Sequence, residues 1–268
     1  MKALIISLLL SVALGCGAAK AQEPVRPVLS AYTIEAGSAH VAQTYLSPLR
    51  HSGWDLALSY ERMQAMRFNP DDFVMRLSGR LSGARTTNIP ARNALLWKLN
   101  LALDWSMMWR RSFGAWSIYA GGYTGIDGGA LYLPRNGNNP AQARLSVDLT
   151  PSASAAWRFA VGRTACKAVY EVAVPLAGVM FSPNYGQSYY EIFSRGNYDH
   201  NVVPTTVGCA PSLRQLLALD ITLGRTALRL GYMGDVRQAE VNNLKQHTYN
   251  HMFVLGMVRR FTICRMQP

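Results

Sequence analysis

The side chains in this sequence that could do chemistry fall into two groups. Twelve charged residues, Asp55, Glu61, Arg76, Arg80, Lys98, Asp104, Asp148, Arg158, Glu171, Asp220, Arg229 and Asp235, recur one step away from large apolar neighbours and mix both signs. A pore that selects one ion sign is lined mainly by the other. The mixture therefore predicts paired charges filling a narrow lumen. The second group, Tyr185, Tyr189, Tyr190, Phe193, Arg195, Tyr198, Asp199 and His200, sits in a long connection from Ser182 to Pro211. Disordered segments avoid aromatic residues, so these rings are expected to pack against something. The expectation is an inward-folding plug whose hydroxyls and charges bond a polar wall; a free outer loop that binds a partner is the alternative.

Catalysis has weaker support. Asp199 and His200 beside Ser188 and Ser194 are the best hydrolase or acyltransferase candidates, but no nucleophile-elbow motif accompanies them. No catalytic residue is assigned. His247 and His251 have metal-like spacing only on a helix; four residues apart on a strand they would be about 13 Å from each other, too far to share one zinc. No metal and no cofactor is expected, and no Gly-rich phosphate loop of the common patterns occurs.

The elements that must position these groups are strands. In "LLWKLNLALDWSMMW", Leu95, Trp97, Leu99, Leu101, Leu103, Trp105, Met107 and Trp109 alternate with Lys98, Asn100, Ala102, Asp104 and Ser106. That is period two, and a face with so many bulky groups must be covered by protein or by lipid. The pattern recurs at Trp54 to Glu61, Phe73 to Ser82, Leu145 to Phe159, Tyr170 to Val174, Leu217 to Leu223 and Leu228 to Asp235. "SLRQLLALD" also fits a helix.

Strands are expected near 39–48, 53–63, 72–85, 94–109, 114–126, 143–161, 166–181, 212–223, 226–238 and 247–263. Tight joins fall at 110–113, 162–165 and 224–225, and long ones at 127–142, 182–211 and 239–246. Alternating short and long joins are the asymmetry of an outer-membrane barrel. The fold class read from the sequence is all-β: a closed antiparallel up-and-down transmembrane barrel of about ten strands, with twelve possible. A soluble sandwich or lipocalin-like barrel would turn its apolar residues inward. Long strands and tryptophans near strand ends (Trp54, Trp97, Trp105, Trp109, Trp116, Trp157) favour lipid outside.

The context agrees. Residues 1–21, with an apolar core from Ala3 to Leu14 and the triplet Ala19, Lys20, Ala21, read as a signal peptide cut before Gln22. Cys16 in "ALGC" could alternatively be lipidated. Residues 22–268 then form one domain. The net charge of +12 falls to +10 once Lys2 and Lys20 leave with the leader. An exported chain without a block of like charges does not meet nucleic acid, so outer-membrane lipid and lipopolysaccharide phosphates are the expected partners. Cys166, Cys209 and Cys264 make an odd count without scaffold density, so no disulfide framework is expected.

Long stretches carry a resemblance. "TYLSPLRHSGWDLALSYERM", "LPRNGNNPAQA", "YGQSYYEIFSRGNYDHNVVPTT" and "PSLRQLLALDITLGRTALRLGYMGDVRQAEVNNLKQHTYNHMFVLGMVRRF" resemble a Gram-negative envelope family known as domain of unknown function 3316. The resemblance implies an exported β-rich protein and transfers no catalytic residue. Three functions stay open: a structural or binding barrel with a charged, largely plugged lumen, a narrow solute channel, and a lipid-modifying enzyme.

Overall fold

The computed structural model describes residues 27–90, 92–137 and 139–262. The signal-peptide reading, Cys16 and Cys264 lie outside them. Twelve strands run in chain order: β1 (Pro27–Gln43), β2 (Ser47–Ala65), β3 (Phe73–Asn88), β4 (Leu95–Phe113), β5 (Trp116–Tyr132), β6 (Ala141–Val161), β7 (Thr164–Ala173), β8 (Ala177–Phe181), β9 (Val202–Thr206), β10 (Ser212–Leu223), β11 (Thr226–Val241) and β12 (Leu244–Thr262). One short helix, α1 (Tyr189–Phe193), lies between β8 and β9.

Ten of these strands form a closed antiparallel ring. Each of β2 to β7 pairs with its predecessor, β7 pairs with β10, β10 with β11, β11 with β12, and β12 returns to β1. The closing ladder runs from Pro27 opposite Thr262 to Gln43 opposite Gln246. β8 and β9 are extra: β8 continues the line of β7 along β6, and β9 pairs with β8.

Turn chemistry fixes the hairpins. At one end Gly114, Gly162 and Gly224 take positive φ as the first residue of two-residue turns, the pattern of a type II′ turn. The described chain ends and the 66–72 connection share that end. The opposite end carries 44–46, 89–94, 133–140, 182–201 and the two-residue turn Asn242–Asn243, whose φ values of 51° and 59° suit a type I′ turn.

Several expected boundaries move. The strand at 39–48 is really the end of β1 and the start of β2, with the turn 44–46 inside it. Residues 110–113 are strand, and the tight join is 114–115. β5 continues to Tyr132, so the outer connection is 133–140 rather than 127–142. The join at 239–246 is not long, because two asparagines in left-handed conformation close it tightly. The 166–181 strand breaks at residues 174–176, where Pro175 has no N–H to give to a ladder. "SLRQLLALD" is strand, since β10 is paired on both sides.

The apolar face points outward. Leu99, Leu101 and Leu103 are 60%, 46% and 51% exposed, whereas Leu96, Lys98, Ala102 and Ser106 between them are buried. Tryptophans bracket this band on β4, Trp97 above and Trp105 and Trp109 below, and Trp116 stacks on Trp157 at the same lower level. A closed wall that is apolar outside and charged inside is the architecture a bilayer covers, because closing the ring pairs nearly all of its strand backbone. No helix among the described residues is long and apolar enough to cross a membrane.

Two outcomes check this orientation. Leu101→Arg should lower folding stability in vesicles by about 2 to 4 kcal/mol if the site lies near the midplane. Asn100→Arg, next to it on the lumen face, should cost much less, and equal losses in urea titration would mean the faces are reversed.

Candidate functional site

The alternation that turns leucines outward delivers every second residue to the lumen, and many of those residues are charged. They settle into pairs. Arg80 Nε donates to Glu35 at 2.8 Å, and Glu35 also accepts from Ser59. Lys98 Nζ reaches Asp55 at 2.5 Å. Arg76 bridges Glu171 at 2.5 Å and Glu61 at 3.8 Å. Arg229 and Lys167 share Asp220, while Arg214 meets Asp104 at 3.4 Å. Arg237 lies between Asp127 and Asp235. Several pairs span the lumen between distant strands: Arg76 to Glu171, Asp104 to Arg214 and Asp127 to Arg237.

The sequence-predicted network is therefore largely assembled, with two adjustments. Arg158 is not in the packed interior; it lies exposed at the lower mouth and donates to Ser117 Oγ at 2.7 Å. Asp148 takes a hydroxyl from Ser146 at 3.0 Å and has no ion pair among the described residues. Glu35, Asp127, Arg144, Lys167, Arg214 and Arg237 complete the set. Glycines on facing strands make the room: a Cβ at Gly125 would collide with the Asp104 carboxylate, and one at Gly178 with that of Asp148.

Apolar side chains gather in the lumen at two levels. Near the end that carries the long loops, Val41, Leu46, Ala94, Leu96, Leu131 and Leu133 form a buried cluster spanning β1 to β5. Ile192 and Leu244, both 0% exposed, lie at the same end. Deeper, Ala57, Met233, Met252 and Val254 form a second cluster with Leu216 against it.

The segment 182–201 is ordered by its own bonds. Ser188 caps α1: its hydroxyl accepts from the Glu191 N–H, and its backbone N–H donates to the Glu191 carboxylate at 2.7 Å, a capping box. Asn201 donates to the Ser182 carbonyl and to Gln187, and Asn242 of the β11–β12 turn donates to the carbonyls of Ser182 and His200. Tyr45 donates to the Gln187 carbonyl at 3.0 Å and meets Tyr189 edge-on, tying the loop to the leucine cluster. Burial pushes the Tyr45 phenol up to about 12.

The loop covers the mouth without sending its rings down the lumen. Tyr189 packs with Phe181 and Phe193, but Tyr185, Tyr190, Phe193 and Tyr198 are 62% to 74% exposed. Arg195 lies 5.5 Å over the Tyr190 ring. Asp199 and His200 are also exposed, paired at 2.6 Å. The plug that does exist is the leucine cluster, built largely from strand ends and short connections on the other side of the mouth.

The hydrolase candidates are not assembled into a relay. Ser188 Oγ is engaged with Glu191. His251 bonds Tyr232 and His247 contacts Tyr249, so the two histidines point to separate partners. Among the described residues no group of three or more His, Cys, Asp or Glu could hold a metal.

Residues 2–268 match the family model described as Protein of unknown function, DUF3316. No curated protein matches the sequence. Among solved structures the chain is similar to the translocator domain of autotransporter NalP from Neisseria meningitidis, at 10% identity and a TM-score of 0.43, covering 97% of this chain and 95% of that one. It is also similar to the outer membrane protease OmpT from Escherichia coli, at 6% identity and a TM-score of 0.45, covering 91% and 99%. A third is the COG4313 outer membrane channel from Pseudomonas putida F1, at 10% identity and a TM-score of 0.37, covering 91% and 100%. A translocator, a protease and a channel select no activity among them.

Removing one partner of a buried pair leaves an uncompensated charge. Glu35→Gln should therefore cost about 3 to 5 kcal/mol in a urea titration, and Glu35→Gln with Arg80→Met should recover most of it. The loop cap adds a pH dependence. Bonds from the Ser188 backbone and hydroxyl hold the Glu191 carboxyl below its ordinary value. Its contribution is present above the unfolded value, near about 4.3, and is lost as pH falls through the lower folded value. Hydrogen exchange at α1 should quicken over that acid range, and Glu191→Gln should flatten the dependence.

Proposed function

Because the chain belongs to the DUF3316 family, whose description assigns no activity, we propose from its geometry that it is an outer-membrane barrel of a Gram-negative bacterium that binds rather than conducts. The observation that carries this is the closed mouth: Leu46, Leu96, Leu131 and Leu133 are at most 6% exposed inside a ring of ten strands. Below them the lumen charges are mostly paired, so an ion entering would have to break buried salt bridges. Interiors of barrels this small are nearly filled by side chains.

What the barrel binds is lipopolysaccharide at its outer rim. By the usual orientation, long loops face outward and short turns face the periplasm. Arg50, Arg85, Arg92 and Arg135 then lie on the β2 to β5 side of the outer end, away from Glu191, Asp199 and Glu240 on the other side. Arg85 is the register neighbour of both Trp54 and Trp97 and lies 6.0 Å over the Trp97 ring. A cation held among interfacial tryptophans is placed for a lipid phosphate, and the exposed rings of the 182–201 loop are suited to stacking on sugar faces.

A lipid-modifying enzyme is the second reading, favoured by the 2.6 Å contact of His200 with Asp199, which would orient an imidazole at the rim. It predicts turnover of lipid A or phospholipid that His200→Ala abolishes.

In planar bilayers the intact protein should show little or no stable current, and Leu96→Gly with Leu131→Gly should open intermittent conductance. A steady current from the intact protein would move the channel reading to first place. Lipopolysaccharide retained through purification, measured by mass spectrometry, should fall several-fold in Arg85→Ala with Arg135→Ala. Unchanged retention would remove the rim site.

A further inference from the structure

Between β7 and β10 the barrel wall changes register. Ala173 is opposite Arg214 and Ala177 is opposite Thr206, so three residues on one strand face seven on the other. Pro175 sits in the short side, and residues 206–210 turn back on themselves through Cys209 and Ala210 N–H bonds to the Thr206 carbonyl. The bridging bonds that remain are Val207 N–H to the Leu176 carbonyl and Glu240 N–H to that of Cys209. The outer margin of this interruption is apolar: Leu149, Leu176, Val207 and Leu213 are all exposed.

Behind the interruption lies a cavity of about 100 Å³ whose lining includes Pro175, Leu176, Thr206 and Leu213 from the wall and Arg144, Asp148 and Gln246 from the lumen. The leucine cluster lies toward the outer end of the lumen and the methionine cluster lies on the opposite side of the cavity, toward the lower end. The wall interruption borders it: Leu176 and Leu213 line the cavity and are also exposed on the outer, apolar face.

The cavity holds unmatched charge of both signs. Arg144 is the one packed lumen cation without an ion pair among the described residues, its Nη1 donating to Thr248 Oγ1 at 3.3 Å. Asp148, on the same strand and the same face, accepts from Ser146 and pairs with no cation. The other charges there are engaged: Asp127 and Asp235 with Arg237, and Asp104 with Arg214. Gln246 is 3% exposed, and both its amide atoms are buried without a partner, although a buried amide ordinarily finds one.

We propose that this cavity takes the head of a phospholipid bearing a phosphate and a primary ammonium group, with the acyl chains left in the bilayer across the interruption. The phosphate meets Arg144 and the Gln246 amide N–H groups, and the ammonium meets Asp148. Cα atoms four residues apart on a strand are separated by about 13 Å, and the length of the arginine side chain shortens that span toward the reach of such a head. An acidic head without the ammonium would leave Asp148 unmatched beside it. Apolar wall residues outside and unmatched charges inside describe one amphiphile.

The test uses the full-length protein in detergent and native mass spectrometry with phosphatidylethanolamine, phosphatidylglycerol and phosphatidylcholine at equal concentration. Phosphatidylethanolamine should be retained at least tenfold over both others, the quaternary amine of the third having no N–H to donate. Asp148→Asn should abolish that preference, and Arg144→Gln should lower retention of all three at least tenfold. Arg85→Ala, at the outer rim, should leave the preference intact, which separates this site from the lipopolysaccharide reading. Equal retention of the three lipids by the native protein, or a preference that survives Asp148→Asn, overturns the proposal. If Arg144→Gln does not fold, as read by loss of the β-sheet signal in far-UV circular dichroism, the near-isosteric Asp148→Asn decides alone.

Discussion

The ladder between β1 and β12 is the constraint from which the other features follow. Seventeen registered pairs join the first strand to the last, and with them the ring is closed, its one break being the short interruption between β7 and β10. In hydrocarbon an unpaired backbone group costs several kcal/mol, so closure is what permits the outer face to be apolar. Once that face is given to lipid, period two leaves only the interior for polar residues. The interior is narrow, which is why most of its charges find one another.

Pairing across the lumen then does what a hydrophobic core does in a soluble domain. Arg76 to Glu171, Asp104 to Arg214 and Asp127 to Arg237 each join strands from different halves of the chain. Such pairs contribute little net stability against a well-packed apolar alternative, but they are costly to break singly. They therefore fix which side chain faces which more than they deepen the fold. The apolar layers above and below set where solvent stops.

Most of the architecture was legible in the sequence because its signal was simple. Alternation in β4 announced both faces, and the tight joins expected at 162–165 and 224–225 fall on two of the turns. The misses have physical causes. β1 begins at Pro27, yet its outward row of Tyr32, Ile34 and Ala36 is short on bulk, and with that strand Glu35 was lost; its alternation with Thr33 and Gly37 was the available sign. Asp127 was hidden because the glycines of "GIDGGA" resemble a loop, whereas here they make room for side chains on neighbouring strands. Arg214 sat in a segment whose leucines suit either period. The aromatic loop was expected to fold inward for shelter; an internal capping box and asparagine clamps hold it instead, with most of its rings exposed.

The leucine cluster at the mouth has a consequence for the order of assembly. All of its members lie between Val41 and Leu133, on hairpins that are neighbours in sequence, whereas the salt bridges that cross the lumen wait for strands up to about 110 residues away. Contacts of short sequence separation form first because less loop entropy is lost in making them. The amino-terminal half can thus curl around its own lid as a preformed trough. The carboxyl-terminal strands arrive against a template that already fixes curvature, and the final seam is a zipping of edges rather than a search.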